Sequence, residues 1–363
     1  MDGFVGDRVK LRIDNLWPAL LPGEEQLDSY KLQKVLVDSQ WLERNEMADY
    51  QLDHLKNLVK FAAREVPFWR SRIAPDVLDD ANTLADALGR LPIVSRREVA
   101  GAGDGLRVER LPKGEALAGT MTSTNSSGVT VRVATTELGL RWRRILDLRR
   151  LLWAGVDFDQ SIAVIQSSGP GAEEQPSGSR YERWKDASDI PFRTGPSFHL
   201  SARASVDEQW DWLKRMTPTY LYAGTSLIRD YAAIAGDGEL AIETILTRDE
   251  VVDDGLRRLA STKFNAAIHD RYASAETGYL AIQCPDTNAY HVPSEAIIVE
   301  VLNDEGRPCG EGEIGRVVAT PLFNLAGPLI RYEIGDFAEA GTCECGRSLP
   351  TLKRIAPTRE MLG

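Results

Sequence analysis

From about residue 116 the chain sets short apolar runs between amphipathic segments, and this alternation constrains the fold more than any other feature. "SIAVIQSS" (161–168), "PTYLYAG" (218–224) and "FNAAIHDRYA" (264–273) have the length and apolarity of strands. "DEQWDWLKRM" and "VVDDGLRRLAST" lie between them and carry helical spacing. Strands that alternate with helices predict parallel α/β layers, here over 116–293. Earlier, 26–100 place apolar residues three and four apart, which predicts helices, and Pro67 ends the long one. This N-terminal helical region, 1–115, is expected to carry no chemistry of its own. After 294, "EAIIVEVLNDEGRPCGEGEIGRVVATPL" alternates as strands do, with "NDEG" and "GEGEIG" as turns. It predicts a β-rich subdomain over 294–352, followed by 353–363. "GAEEQPSGSRYERWKD" (171–186) is polar and breaker-rich and reads as a surface loop.

Composition excludes some classes. With 43% apolar and 27% charged residues over 363 positions, the chain can bury a sizeable core. A formal charge of −11 argues against sequence-independent nucleic-acid binding, which needs a basic footprint. No apolar run approaches the ~18–20 residues that span a bilayer, and the N-terminus lacks the pattern of a signal peptide. The expectation is a cytoplasmic protein with neither nucleic-acid nor membrane partners. Four cysteines are too few for a disulfide framework at this length, and Cys343 and Cys345 in "CEC" suggest metal before a bridge.

Neither a G-x-x-x-x-G-K-[ST] loop, a G-x-G-x-x-G that follows a strand into a helix, a G-x-S-x-G elbow nor H-E-x-x-H occurs. Four other stretches carry chemistry. "TSTNSSGVTVR" (122–132) packs Ser, Thr and Asn around one Gly, with no aliphatic pattern to bury. It reads either as a surface turn or as an anion cradle whose hydroxyls and amides point donors at phosphate. "YASAETG" (272–278) sets a carboxylate between small residues, suited to reach into a cleft. In "PLIRYEIGDF" (328–337), Arg331 and Asp336 flank a turn. Cys284 and His291, then Cys343 and Cys345, supply three thiolates and an imidazole. That is either a closed structural zinc set or a group of reduced thiols with an exposed His.

In this order the stretches resemble the adenylate-forming superfamily, in its phenylacetate-CoA ligase and capsule-biosynthesis ligase-like branch. "LVKFAAREVPFWRSRI" resembles that branch's N-terminal helices, and "STNSSGVTVRV" its phosphate loop. "RYASAETGYLAIQCP" is similar to its Y-G-x-[ST]-E-x-G segment, and "PLIRYEIGD" to its R-Y-x-x-G-D. "CECGRSLPTLKRI" resembles its C-x-C-G-R-x-L-P signature. The resemblance implies an α/β fold, the large N-terminal domain of these enzymes: two α/β subdomains plus a β-barrel-like part, with N-terminal helices.

It also implies a reaction in which a carboxylate attacks the α-phosphorus of ATP, giving acyl-AMP and pyrophosphate, before CoA or another thiol accepts the acyl group. Ser123, Thr124, Ser126, Ser127 and the amide near Gly128 would embrace the β- and γ-phosphates. Glu276 would hold Mg²⁺, and Arg331 would be a second catalytic residue. Asp336 would accept both ribose hydroxyls and Tyr272 would lie against adenine. Tyr222, Gly224, Thr225 and Tyr279 would shape the pocket of a small or aryl carboxylic acid. Cys284, His291, Cys343 and Cys345 would bind structural Zn²⁺, as in related ligases. Glu250 in "TRDEVV" would face the nucleotide or merely solvate a helix start.

The chain departs from the pattern in places. Asn125 stands at the loop's first Gly, Val129 at its usual Lys or Arg, and Ala275 at the Thr before Glu276. Pro357 replaces a hinge Gly, and the sequence ends at Gly363, at the hinge itself. The family's C-terminal lid domain is therefore expected to be absent from this sequence, either because the sequence is cut at the hinge or because the protein lacks the lid, with a separate lid domain or carrier protein as a partner in the second case. A homodimer is a further expectation. These departures leave a second reading open, a lidless, non-catalytic or partner-dependent binding protein that kept the fold.

Overall fold

The computed structural model describes residues 24–125, 128–167, 177–184, 192–248 and 252–363. Of these, 24–33 and 148–271 form one compact unit, and 34–147 with 272–363 form another.

The first unit is a layered α/β body. Its sheet runs, edge to edge, Ser179–Tyr181, Ser197–Ser201, Ile162–Gln166, Tyr220–Gly224, Thr244–Arg248 and Ala267–His269. Every neighbouring pair is parallel except the first, which is antiparallel. Successive residues of a strand go to opposite faces, and here both faces are covered. Ala163, Ile165, Leu221, Ala223 and Ile245 join one core with Trp210, Tyr231 and Phe264. Ile162, Val164, Tyr220 and Leu246 join another with Leu151, Phe158 and Trp184. Two covered faces explain why these strands read as unbroken apolar runs.

The helices are cut by local chemistry. Ser205 and Glu208 form a reciprocal capping box before Val206–Met216, and Thr217 ends that helix in the left-handed region at φ 43°. Asp253 accepts from the Leu256 amide at 2.7 Å to start Asp254–Phe264. Part of the expected loop over 171–186 is instead an edge strand, Ser179–Tyr181. A short strand paired on one side only buries too little to leave an apolar signature.

The second unit is mainly antiparallel. Its sheet orders Arg271–Ser274, Gly278–Gln283, Tyr290–His291, Thr351–Ala356, Tyr332–Gly341, Ile314–Pro321 and Ile297–Leu302, and Val94–Ser95 adds in parallel to Tyr332–Gly341. A separate hairpin pairs Leu117–Thr124 with Thr130–Thr136. The helix Arg44–Glu65 stops before Pro67, which then opens the next turn, Pro67–Arg70, from its first position.

Leu55, Leu58, Val59, Ala62 and Trp69 of these helices share one core with Val131 and Val133 of the hairpin and Leu280, Val317 and Tyr332 of the sheet. Trp69 is fully buried, and its Nε1 donates to the Pro328 carbonyl at 2.8 Å. The packing therefore does not follow the boundaries at 115 and 293 that the texture of the sequence suggests.

Candidate active site

Residues 122–125 and 128–132 lie at the tip end of a hairpin, with Ser123 opposite Val131 and Thr124 opposite Thr130. Contrary to the reading of this stretch as having nothing aliphatic to bury, Val131 and Val133 are fully buried beneath it. The alternation T-V-R-V over 130–133 is the signal for that face. Asn125 closes the tip. Its carbonyl accepts from the Gly128 amide at 2.9 Å, and its side-chain Oδ1 accepts from the Val129 amide at 3.0 Å. Gly128 turns the chain at φ 79°, where a side chain would be strained. Ser126 and Ser127 lie outside the described residues, as does Glu250.

Beside the tip sits an arginine that sequence reasoning missed. Arg96 is the first residue of the helix Arg96–Ala102, which Ser95 and Glu98 start with a capping box. Its Nη2 donates to the Ser123 hydroxyl at 2.7 Å and the Ser123 carbonyl at 2.9 Å, and Nε donates to the Val129 carbonyl at 3.1 Å. Its Nη1 donates to Glu276 Oε1 at 2.7 Å and to the Tyr332 hydroxyl at 3.1 Å. One guanidinium from within 1–115 thus ties the hydroxyl hairpin to the carboxylate.

Glu276 is only 1% exposed. Burial pushes its pKa up, but its own backbone amide, the Ser274 hydroxyl, the Arg96 charge and the Ser123 hydroxyl outweigh this and hold it below the usual carboxylate range. The carboxylate is therefore ionised. Tyr332 donates to its Oε1 at 3.1 Å, and Oε2 is buried with no hydrogen-bond partner among the described residues. An ionised oxygen so placed is costly unless a cation or donor meets it. The chemistry of this acceptor suits a hard divalent cation.

Tyr272 and Asp336 stand beside this pair. The Tyr272 hydroxyl donates to Asp336 Oδ2 at 2.7 Å. Burial raises Asp336 above its ordinary range; Tyr272 opposes that, the Glu276 charge adds to it and Arg96 opposes it. Burial, then the Asp336 charge, raises Tyr272 as well.

Arg331 has a different place. It sits in the left-handed region at φ 45°, with a backbone strain of about 1 kcal/mol. Its Nη2 and Nε donate to the Glu300 carboxylate at 2.8 and 2.9 Å, and Nη1 to the carbonyls of Leu91 and Leu88 at 2.8 and 2.9 Å. Those bonds clamp the turn after Leu84–Gly89 to the strand Ile297–Leu302, so this geometry makes Arg331 part of the frame.

Tyr279 lines a small cleft with Glu276, Thr135, Trp142, Phe323 and Asn324, and its hydroxyl donates to Asp147. Arg143, in the same wall, donates to the Ala275 carbonyl.

No protein family and no curated protein matches the sequence. Among solved structures the chain is similar to 2-hydroxyisobutyryl-CoA ligase in several states. Against its open conformation in complex with 2-HIB-AMP and CoA, the TM-score is 0.67 at 18% identity, covering 86% of this chain and 75% of that one. Against the thioesterification state in complex with the same two molecules, it is 0.69 at 17% identity, covering 94% and 73%. This chain has the adenylate-forming ligase fold. At this identity the likeness is one of fold alone.

Within the ligase fold, the other expected pocket residues belong to the first unit. Tyr222 and Gly224 end the strand Tyr220–Gly224, and buried Thr225 opens the helix Thr225–Ile234. The Tyr222 ring has the guanidinium carbons of Arg150, Arg248 and Arg271 at 5.6, 5.7 and 6.0 Å from its centre. Tyr222, Gly224 and Arg248 lie toward the carboxyl ends of parallel strands, where open α/β sheets bind their ligands.

The second unit of the ligase fold also gathers the four metal candidates. The ligand atoms of Cys284, His291, Cys343 and Cys345 all lie within 4.8 Å of one another. Cys343 and Cys284 Sγ are 3.7 Å apart, against an edge of ~3.8 Å for a tetrahedron with Zn–S bonds of ~2.3 Å. His291 Nε2 is 3.2 Å from Cys345 Sγ, while its Nδ1 faces the Leu349 carbonyl at 3.3 Å. A ring held from behind by a carbonyl is how metal-binding histidines are commonly oriented. Burial pushes the Cys284 thiol up to about 12. The set is closed, with three thiols and one imidazole, and fits zinc.

Proposed function

We propose that the chain binds Mg-ATP in the second unit and activates a small carboxylic acid as its acyl-adenylate, whose acyl group CoA or another thiol then accepts as AMP leaves. The observation that carries this reading is the buried, ionised Glu276, with one oxygen on Arg96 and the other without a partner, beside a hairpin tip built of hydroxyls. Glu276 would hold Mg²⁺, which supplies charge neutralisation at the phosphates. Ser123, Thr124 and the donors near Gly128 would face the β- and γ-phosphates.

In the reaction a carboxylate oxygen of the acid bonds to the α-phosphorus. The bond from that phosphorus to the bridging oxygen breaks, and pyrophosphate leaves with the electron pair. Arg96 would compensate for the uncharged Val129 through its charge: its guanidinium reaches the loop from another element, with its five N–H groups already engaged by the protein. Asp336 would accept the ribose hydroxyls, and Tyr272, held by Asp336, would flank the base. The phenylacetate-CoA ligase-like branch remains the reading for the family, and Cys284, His291, Cys343 and Cys345 are proposed as a structural zinc site.

One observation favours the second reading, a binding protein without catalysis. Asn125 already engages the Gly128 and Val129 amides, so these donors face inward in the turn. Acid-dependent exchange of labelled pyrophosphate into ATP separates the two. Exchange above the acid-free level, abolished in Glu276→Gln, is expected from the ligase. Tight Mg-ATP binding with no exchange for any acid would favour the binding protein.

A further inference from the structure

Three arginines converge on one tyrosine at the strand ends of the first unit. The guanidinium carbons of Arg150, Arg248 and Arg271 all lie within 6.0 Å of the centre of the Tyr222 ring. Charges that close repel one another even in salt, which screens over ~8 Å and screens buried groups less. A ring has two faces for cations, so three exceed what it can stack. Arg271 is held in another way, its Nη2 donating to the Tyr222 hydroxyl at 3.0 Å. Arg150 is only 1% exposed, and its Nη2 donates to the carbonyls of Thr247 and His269 at 2.8 and 3.4 Å, which fixes its charge within the fold. Tyr222, Arg248 and Arg271 stay partly exposed.

The partly exposed groups of this cluster are donors. A guanidinium has five N–H groups and no acceptor. The Tyr222 hydroxyl already accepts from Arg271, and its own hydrogen has no acceptor among the described residues. Asp270 is the one carboxylate within these strand ends, 222–224, 247–248 and 269–271. It is buried, with Oδ1 on the Thr247 hydroxyl, so one negative charge stands against three positive ones. Gly224, paired with Arg248, is the N-cap of the helix Thr225–Ile234, and the dipole of that helix adds potential of the same sign. Donors in a positive field suit an acceptor-rich anion, and the planar guanidinium matches carboxylate and phosphate oxygens.

We infer that these strand ends bind an oxyanion, a carboxylate or phosphate group of a small molecule, on Arg248, Arg271 and the Tyr222 hydroxyl, with the buried Arg150 adding its charge. The site lies within the first unit and stands whether or not Glu276 binds a nucleotide. Two sources carry such a group in the chemistry proposed above: a second carboxylate on the acid, and a phosphate of a nucleotide or of CoA. The first would narrow the acid to a dicarboxylic one.

The experiment is a calorimetric titration of the full chain, with no nucleotide present, using three probes: succinate, inorganic phosphate and succinamide, the uncharged counterpart of succinate. Succinate or phosphate should bind, and succinamide should bind at least tenfold more weakly than the favoured anion. Binding of succinate assigns the site to a carboxylate of the acid, and binding of phosphate alone assigns it to a phosphorylated ligand. Arg248→Gln and Arg271→Gln remove charges that solvent already reaches, and each should weaken the favoured anion fivefold or more. Glu276→Gln should leave that affinity within twofold. The comparison of charged and uncharged probes on the wild-type chain needs no variant to fold. The inference falls if neither anion binds, if succinamide binds as tightly as the favoured anion, or if both arginine variants bind as wild type does. It also falls if Glu276→Gln abolishes binding, which would put the anion in the second unit. Since no nucleotide is present, the ligase reading can fail without altering any of these outcomes.

Discussion

Two arginines show what a residue's type conceals. Arg331 is part of a motif and Arg96 is part of none, yet Arg96 touches the carboxylate and the hydroxyl hairpin while Arg331 clamps the frame. Nothing in the sequence marks Arg96: the capping box of Ser95 and Glu98 announces a helix start but not which elements its first side chain will meet, one of them 180 positions away. Both arginines are buried beside a carboxylate, so replacing either by Met leaves a buried charge unpaired, at about 3–5 kcal/mol of stability. The two should separate in binding. Arg96→Met is expected to weaken Mg-ATP tenfold or more, and Arg331→Met to leave it within twofold, measured by denaturant midpoints together with nucleotide titration of the folded protein.

Asp336 gives a pH prediction with a definite sign. Its folded pKa is raised by burial, so the folded state holds the proton more firmly than the unfolded chain. Stability should therefore fall as pH rises from the ordinary carboxylate value of ~4 through the raised folded value. Asp336→Asn removes the charge and can keep the Tyr272 bond through its amide oxygen. The variant should unfold later than wild type at pH 7 and lose that advantage below pH ~4, as thermal midpoints at both pH values would reveal.

At the scale of elements, the sequence was readable where burial on two faces or a strict turn imposed a pattern. The parallel strands, the break at Pro67 and the late antiparallel strands all have such causes. Ser179–Tyr181 does not, because an edge strand of three residues can be polar throughout. The hairpin 117–136 was half hidden: its tip is a run of hydroxyls, and only Val131 and Val133 reveal the buried face.

The metal corner joins several elements, since His291 lies on Tyr290–His291, which pairs with Thr351–Ala356, while Cys343 and Cys345 follow Tyr332–Gly341. One zinc per chain is expected by elemental analysis. Cys345→Ser should lose most of it, and a strong chelator should lower the thermal midpoint by several degrees, because binding energy at a closed site is folding energy. Cys309→Ser, at a cysteine outside the set, should keep the metal.

For the whole molecule, the two units are interleaved along the chain, with crossings after residues 33, 147 and 271. Texture reports what each stretch is locally, and no local pattern announces that helices near residue 60 share a core with strands near 320. The candidate site in the second unit is assembled the same way, from the start of one helix, one hairpin tip, two late strands and the turn that carries Glu276. The proposed roles of Glu276, Asp336, Tyr272 and the hydroxyl tip rest on motifs that the sequence displays. Arg96 depends on long-range packing, which no motif displays.

The central claim is that Glu276 lies at the heart of a nucleotide site, and one calorimetric comparison tests it most directly. Wild type and Glu276→Gln are titrated with ATP in the presence of Mg²⁺, and again with Mg²⁺ withheld. The account predicts Mg²⁺-dependent binding by wild type and a loss of tenfold or more in a variant whose circular dichroism is unchanged. Equal affinities for the two proteins, or no heat from either, would contradict it.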